Sequence, residues 1–423
     1  MAFLDQEQRN LASGLSMGYS SPRSVVLQVA TQYDELAADH SSLLQINASL
    51  PAELAGHWSE LFLSAIAPRF SAYATYLRDE YAPQARTSRS ISALPSGLAG
   101  YEAYVLHHTG ARVDPAELAI QAQELVDEAL TQFTALGASV YDAPDYEATL
   151  AAVRSDYGQP LSGPEAAREY AQASVDRLLE VTRPYFPELP EHSVTVELYP
   201  ENEWGSGSEA SYRPNFSEGY NGTYFLDPRA MSGVIPRAIE ATASHETAPG
   251  HHLQAVIARH ARDGAEEPSH PIVTLGMNNA FVEGWARYAE RFAIEEGLLE
   301  HEGAALSFWQ GYGMALLIDV SLHTGTLTED QVIDKVLSLS GVDRTMVDPA
   351  AFGPMLDRFA MLPAQGITYD LGGDFIYRLR ERAQDALGDD FDIRVFHQLV
   401  LEEGSVTLVR LAEKVDAWIE REL

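Results

Sequence analysis

The sequence predicts a mainly α-helical protein with one small β-sheet. Apolar residues recur at helical spacing through roughly the first 190 residues. A short stretch over 193–226 then alternates and is rich in β-branched and aromatic residues. Helical spacing returns after it and continues to the C-terminus.

Taken in order, 51–82 reads as helix, and so does 114–136, which opens with Asp114 as a cap and Pro115 in the first turn. Pro160, Gly163, Pro164, Pro184, Pro187 and Pro190 break the pattern into short units. SVTVELYP alternates like a strand. A Gly/Ser/Asn-rich run from Gly205 to Gly222 then leads into GTYFLDP, a second strand-like run bounded by turn residues. The expected organisation is a helical region over 1–190 and a second region over 191–423. The second holds the sheet (193–226), helices over 236–262 and 273–298, and the C-terminal helices. No repeat at solenoid periods and no low-complexity segment interrupts this plan.

Composition narrows the function classes. The 423 residues are 46% hydrophobic and 21% charged, the make-up of a globular protein. Asp and Glu number 62 against 28 Lys and Arg, a formal charge of −34, and only Lys335 and Lys414 are lysines. Such a field repels phosphate backbones and anionic lipid, so neither nucleic acid nor a membrane surface is an expected partner. Cysteine is absent, which removes disulfides, thiolate metal sites and cysteine nucleophiles. The N-terminal residues show no basic stretch before a long apolar run, and no stretch reaches the roughly 18 apolar residues of a membrane helix. The expected location is cytoplasmic.

Most of the thirteen histidines read as ordinary; His107 and His108, for example, close a helix-like stretch where a cation suits the carbonyl end. Residues 245–252, His-Glu-Thr-Ala-Pro-Gly-His-His, differ by packing three histidines and a glutamate into eight positions of an Ala-rich helix. The physical template is HExxH, which sets two imidazoles one turn apart on one face, with the Glu as general base. Here the fourth residue after His245 is Pro249, which cannot bind metal. On an undistorted helix His251 would point about 240° round from His245, whereas His252 would return to nearly the same face about 10.5 Å further along. Pro249 removes a helical hydrogen bond and Gly250 relaxes the backbone, so a bulge is expected that brings His251 into the second ligand position. If the helix runs on undistorted, His252 is the candidate instead. Downstream, Glu283 and Glu290 fall two turns apart on one face of the next helix. Each reads alone as a solvated glutamate or as the partner of Arg287 or Arg291. Together they lie where a third, carboxylate ligand is needed.

HETAPGHHLQ followed by FVEGWARYAE resembles the uncharacterised bacterial HExxPGHH zinc peptidases, domain-of-unknown-function proteins of the gluzincin group. These are similar in turn to thimet oligopeptidase and neurolysin and, more distantly, to angiotensin-converting enzyme. The segments 11–29, 100–110 and 362–408 extend the likeness over most of the chain. The resemblance implies a large helical zincin-type metallopeptidase with a deep cleft, one wall of it formed by 1–190. It also implies Zn2+ on His245, His251 and Glu283 with Glu246 as general base, and an oxyanion-stabilising role for Tyr369, which read alone is a buried tyrosine. Glu290 becomes an orienter of a histidine ligand or a surface partner of Arg287, and His252 an alternate ligand or a neighbour of the site. GTYFL becomes either the edge strand that pairs with an extended substrate or a core strand. The expected reaction is zinc-dependent hydrolysis of amide bonds in short peptides. The alternatives are a small non-peptide amide or biosynthetic intermediate as substrate, and a non-catalytic metal-binding scaffold.

Overall fold

The computed structural model describes residues 2–38, 51–155, 160–204, 209–215, 217, 219–264 and 278–423. It is mainly helical, with one three-stranded sheet. Two compact units make up the chain. The first comprises Met1–Tyr101, Ser321–Ile333 and Thr345–Pro363, and the second comprises Glu102–Val320, Asp334–Arg344 and Ala364–Leu423. No described helix is long and apolar enough to cross a membrane.

In the first unit the segment read as one helix over 51–82 is helical throughout but changes pitch. Ala52–Leu61 and Ala67–Tyr76 are α-helical, and the wider π turns Phe62–Ile66 and Leu77–Tyr81 follow them. Tyr73, Leu77 and Tyr81 pack with Leu4, Val26 and Ala30 into a small core of their own.

The second unit holds the larger core and the candidate site. Its longest helix, Pro115–Tyr141, starts as its sequence demands, with the Asp114 carboxylate accepting from the Ala116 N–H and Pro115 at the first position. The sheet runs in the order β1 (His192–Leu198), β3 (Tyr220–Leu226), β2 (Ala210–Asn215). β1 lies parallel to β3, pairing His192 with Tyr220 through Leu198 with Leu226. β2 lies antiparallel, pairing Ala210 with Leu226 through Asn215 with Asn221. Alternation delivers Val194, Val196, Tyr224 and Leu226 to the core, as the period of two requires. β3 is therefore the central strand, with both edges already hydrogen-bonded. GTYFL cannot be a substrate-pairing edge, and that position belongs to β1 and β2.

Beneath the sheet the helix Pro236–Glu246 is anchored by Glu240. This carboxylate is buried, pairs with Arg177, and accepts from the backbone N–H groups of Glu300 (2.7 Å) and His301 (2.8 Å). The helix Asn279–Glu295 crosses Thr368–Leu387 at close range. A Cβ on Gly284 would stand 2.5 Å from the Gly372 carbonyl carbon, and one on Gly372 would stand 2.0 Å from the Ala280 oxygen. Glycine at both positions lets the two backbones touch. Of the stretch 273–298 read as helix, 278–298 is described and 273–277 lies outside the described residues.

Candidate metal centre

The segment 236–262 is two helices with a break between them. Pro236–Glu246 ends at Thr247 (φ −120°, ψ −92°), and His251–Asp263 begins after Gly250 (φ −75°, ψ −132°). Pro249 has no N–H to continue the first helix, and the Ala248–Pro249 peptide is cis. The broken backbone is satisfied locally: the Gly250 N–H donates to the Ser244 oxygen (3.0 Å) and the His252 N–H to the Thr247 oxygen (3.0 Å). A Cβ on Gly250 would lie 1.8 Å from the His245 carbonyl oxygen, so only glycine permits this close return. Trp285, fully buried, donates from Nε1 to the carbonyls of Pro249 (3.1 Å) and Gly250 (3.3 Å). The helix that carries Glu283 thereby holds the break open.

The break turns His251 back toward His245. Their rings lie 4.9 Å apart, centroid to centroid, and perpendicular. Glu283 Oε2 stands 3.7 Å from His245 Nε2 and 3.5 Å from His251 Nε2. Ligand atoms of all three lie within 4.8 Å of one another, and among the described residues this is the one group of three or more His, Asp or Glu side chains so arranged. Ligands at the roughly 2.0–2.2 Å of zinc bonds stand about 3.3–3.6 Å apart in a tetrahedron, close to the two measured separations. Two imidazole nitrogens and one carboxylate are a donor set that suits zinc.

The partners of the other ring atoms fit as well. Glu290 Oε1 accepts from His245 Nδ1 at 2.7 Å, and Gln254 Oε1 accepts from His251 Nδ1 at 3.1 Å. Each bond leaves Nε2 as the ring atom that faces Glu283. Burial by itself would lower His245, but the carboxylates of Glu283 and Glu290 outweigh it and push its pKa up to about 10. Burial likewise opposes ionisation of Glu283, and His245 and His251 overcome it, holding the carboxyl well below its usual range. The pocket thus draws positive charge inward. Glu290 also pairs with Arg287 (3.0 Å), and this pair is buried rather than on the surface.

His252 takes neither role given to it. Its side chain is fully buried on the opposite side, with Nδ1 against the Tyr212 hydroxyl (2.9 Å) and Nε2 against His192 Nδ1 (2.9 Å). Burial, reinforced by His192, lowers its pKa to about 3. It is a neutral cross-link between this helix and the sheet.

A cavity of about 520 Å³ opens beside His245, and Glu246, Arg287, Phe308, Tyr369 and Asp370 are among its walls. The half-buried Tyr369 stacks on His245, ring centroids 6.2 Å apart, and its hydroxyl accepts from Gln365 Nε2 at 3.2 Å. Trp285, Gln254 and Asp370 do not stand out in the sequence. Their only signals are proximity to Glu283, three residues after His251, and adjacency to Tyr369.

Two solved structures share the fold. The putative lipoprotein from Colwellia psychrerythraea superposes with a TM-score of 0.84 at 20% identity, over 97% of this chain and 72% of that one. A putative lipoprotein of unknown function from Shewanella oneidensis gives 0.70 at 19% identity, over 93% and 73%. No functionally curated protein matches the sequence. These findings correct two expectations. The cytoplasmic location is overturned, since both neighbours are described as putative lipoproteins. The kinship with HExxPGHH zinc peptidases and the thimet oligopeptidase group is overturned too, since neither neighbour is described as a zinc metallopeptidase and the matching family carries no such description. Residues 1–415 match the family of bacterial proteins of unknown function termed DUF885, and the chain belongs to that family.

Proposed function

We propose that the protein hydrolyses amide bonds in short peptides, using zinc held in a zincin-type arrangement by His245, His251 and Glu283. The observation that carries this reading is the convergence of those three side chains within 4.8 Å, next to a cavity that Glu246 lines. Zinc held by these three side chains would acidify a bound water and polarise a carbonyl. Glu246 supplies the base: its carboxylate takes a proton from the attacking water and passes it to the departing nitrogen. Tyr369, stacked on His245 in the cavity wall, donates its phenolic hydrogen to the substrate oxygen as negative charge develops there. Glu290 and Gln254 keep the two imidazoles in the tautomer the reaction needs. A base beside the ligands argues against a purely structural metal, which has no use for one. The cavity volume suits a small substrate held by its backbone and one or two side chains, not a folded chain.

The test is zinc reconstitution followed by assay on a panel of short fluorogenic peptides and small aryl amides. The parent should bind about one zinc per chain and cleave peptides, and Glu246→Gln should keep its zinc and lose turnover. Failure to bind zinc, or an active Glu246→Gln variant, sinks the proposal. Cleavage of the aryl amides alone would move the substrate to small non-peptide amides.

A further inference from the structure

Behind His245 runs a line of buried charges that hydrolysis itself does not consume. Glu290 is held by Arg287, whose guanidinium donates to Oε1 (3.1 Å) and Oε2 (3.0 Å). The same guanidinium donates from Nε to Asp370 Oδ1 at 2.9 Å, and Asp370 Oδ2 accepts from the backbone N–H of Gly313 at 3.0 Å. Phe308 covers the guanidinium at 4.4 Å. Glu290 is 7% exposed and Asp370 is 2% exposed, so both carboxylates have left water for these contacts.

Burying three charges in a row is a poor route to stability, since apolar groups of similar volume commonly serve as well or better. What the arrangement provides is direction. A glutamate has three rotatable bonds, and Glu290 fixes His245 only if its own carboxylate is fixed. Arg287 does this through Nη1, which donates to both oxygens, while the rigid guanidinium plane holds that nitrogen in place. Its remaining edge grips Asp370, the residue after Tyr369 in the first turn of the helix Thr368–Leu387. One guanidinium thus reaches a ligand histidine by one arm and the backbone that carries Tyr369 by the other.

We infer that Arg287 is a positioning residue with two separable arms, orienting His245 for metal through Glu290 and Tyr369 for the substrate oxygen through Asp370. The inference rests on the function proposed above and adds residues to it. An Asp370→Asn side chain keeps its shape and its acceptor for Gly313 but weakens the grip of the guanidinium, so only the tyrosine arm slackens. Arg287→Met releases both arms.

The experiment measures zinc affinity by competition with a chromophoric chelator, together with kcat and KM, for the parent, Arg287→Met, Arg287→Lys and Asp370→Asn. Arg287→Met should weaken zinc binding by about 10- to 100-fold, the range typical for loss of an outer partner. Arg287→Lys, which keeps the charge but not the rigid plane that carries both Nη1 and Nε, should fall between it and the parent. Asp370→Asn should bind zinc within about threefold of the parent while kcat drops about tenfold at unchanged KM, the signature of an interaction made in the transition state. If Arg287→Met does not fold, the double variant Arg287→Met/Asp370→Asn, which leaves fewer uncompensated charges, carries the affinity measurement. Folded Arg287 variants that bind zinc as tightly as the parent overturn the inference and leave Arg287 a structural ion pair. A parent that binds no zinc overturns the proposed function and this inference together, whereas zinc binding with Glu246-dependent turnover and indifference to Arg287 overturns this inference alone.

Discussion

Residues 251 and 252 are both histidine, yet they belong to opposite electrostatic worlds. His251 turns toward His245 and Glu283, where Glu283 and Glu290 raise the affinity of His245 for a proton until its pKa reaches about 10. His252 turns toward His192 and Tyr212, where burial and a second imidazole push its pKa down to about 3. Both environments use ordinary hydrogen bonds, 3.1 Å from His251 to Gln254 and 2.9 Å between His252 and His192, so bond geometry does not separate them. The carboxylates do. A histidine ringed by carboxylates is prepared to share a cation, while one ringed by neutral donors and acceptors is prepared to stay neutral and join two elements.

The sharpest way to break this contrast is to remove one histidine at a time. His251→Ala takes away one of three ligands, and zinc affinity should fall by more than the roughly 100-fold upper range for an outer partner. Chelator competition reads this directly, and tight zinc binding by the variant would end the assignment. The tyrosines offer the next comparison, because Tyr369 faces His245 while Tyr212 faces His252. Tyr369→Phe should lower kcat by about 10²- to 10³-fold with little change in KM, whereas Tyr212→Phe should leave kcat within about threefold of the parent. Equal kcat values in the two variants would show that the phenol beside His245 is a packing group.

On the neutral side, His252→Phe should reduce stability by about 1–3 kcal/mol, because Tyr212 and His192 each lose a buried partner. Denaturant titration measures that loss, and zinc affinity in the same variant should stay within about threefold. The smallest expected effect sharpens the same principle away from the site. His397 is fully buried, with Nε2 against the Tyr288 hydroxyl and Nδ1 against the Tyr185 carbonyl, and burial lowers its pKa to about 3. Its folded value lies below the unfolded value, so the stability it contributes is present above about pH 6.5 and is lost as pH falls toward 3. Between pH 7 and pH 5 that loss amounts to about 2 kcal/mol. The pH dependence of unfolding should flatten by that much in His397→Gln, and an unchanged slope would mean the parent imidazole is charged when folded.

Much of the site is legible in the sequence because its key feature is local. Pro249 lacks the N–H that a continuing helix requires, and that alone points to a break and to His251 over His252. The spacing of Glu283 and Glu290 is equally local, being set by helical geometry. What the sequence hides depends on pairings far along the chain. GTYFL reads the same whether it is an edge or a centre, and it becomes the centre only because β1 and β2 arrive from either side. Arg287 meets Asp370 across 83 positions, and His192 meets His252 across 60, with no motif to announce either. In the fold at large, alternation and helical spacing locate the sheet and most helices. The π turns at Phe62–Ile66 and Leu77–Tyr81 leave the apolar pattern too little changed to be read from it.

The indole of Trp285 bears on any attempt to move this site into another protein. Its N–H reaches the carbonyls of Pro249 and Gly250 from the helix that carries Glu283, one turn's fraction away on the same element. The interruption and Glu283 are therefore registered to each other by a single rigid body. A graft of His245, His251 and Glu283 alone would arrive with the interruption free to close into continuous helix or drift away from it. The smallest transplantable unit is the pair of helices with the indole included, and its alignment would survive a change of surroundings that three isolated side chains would not.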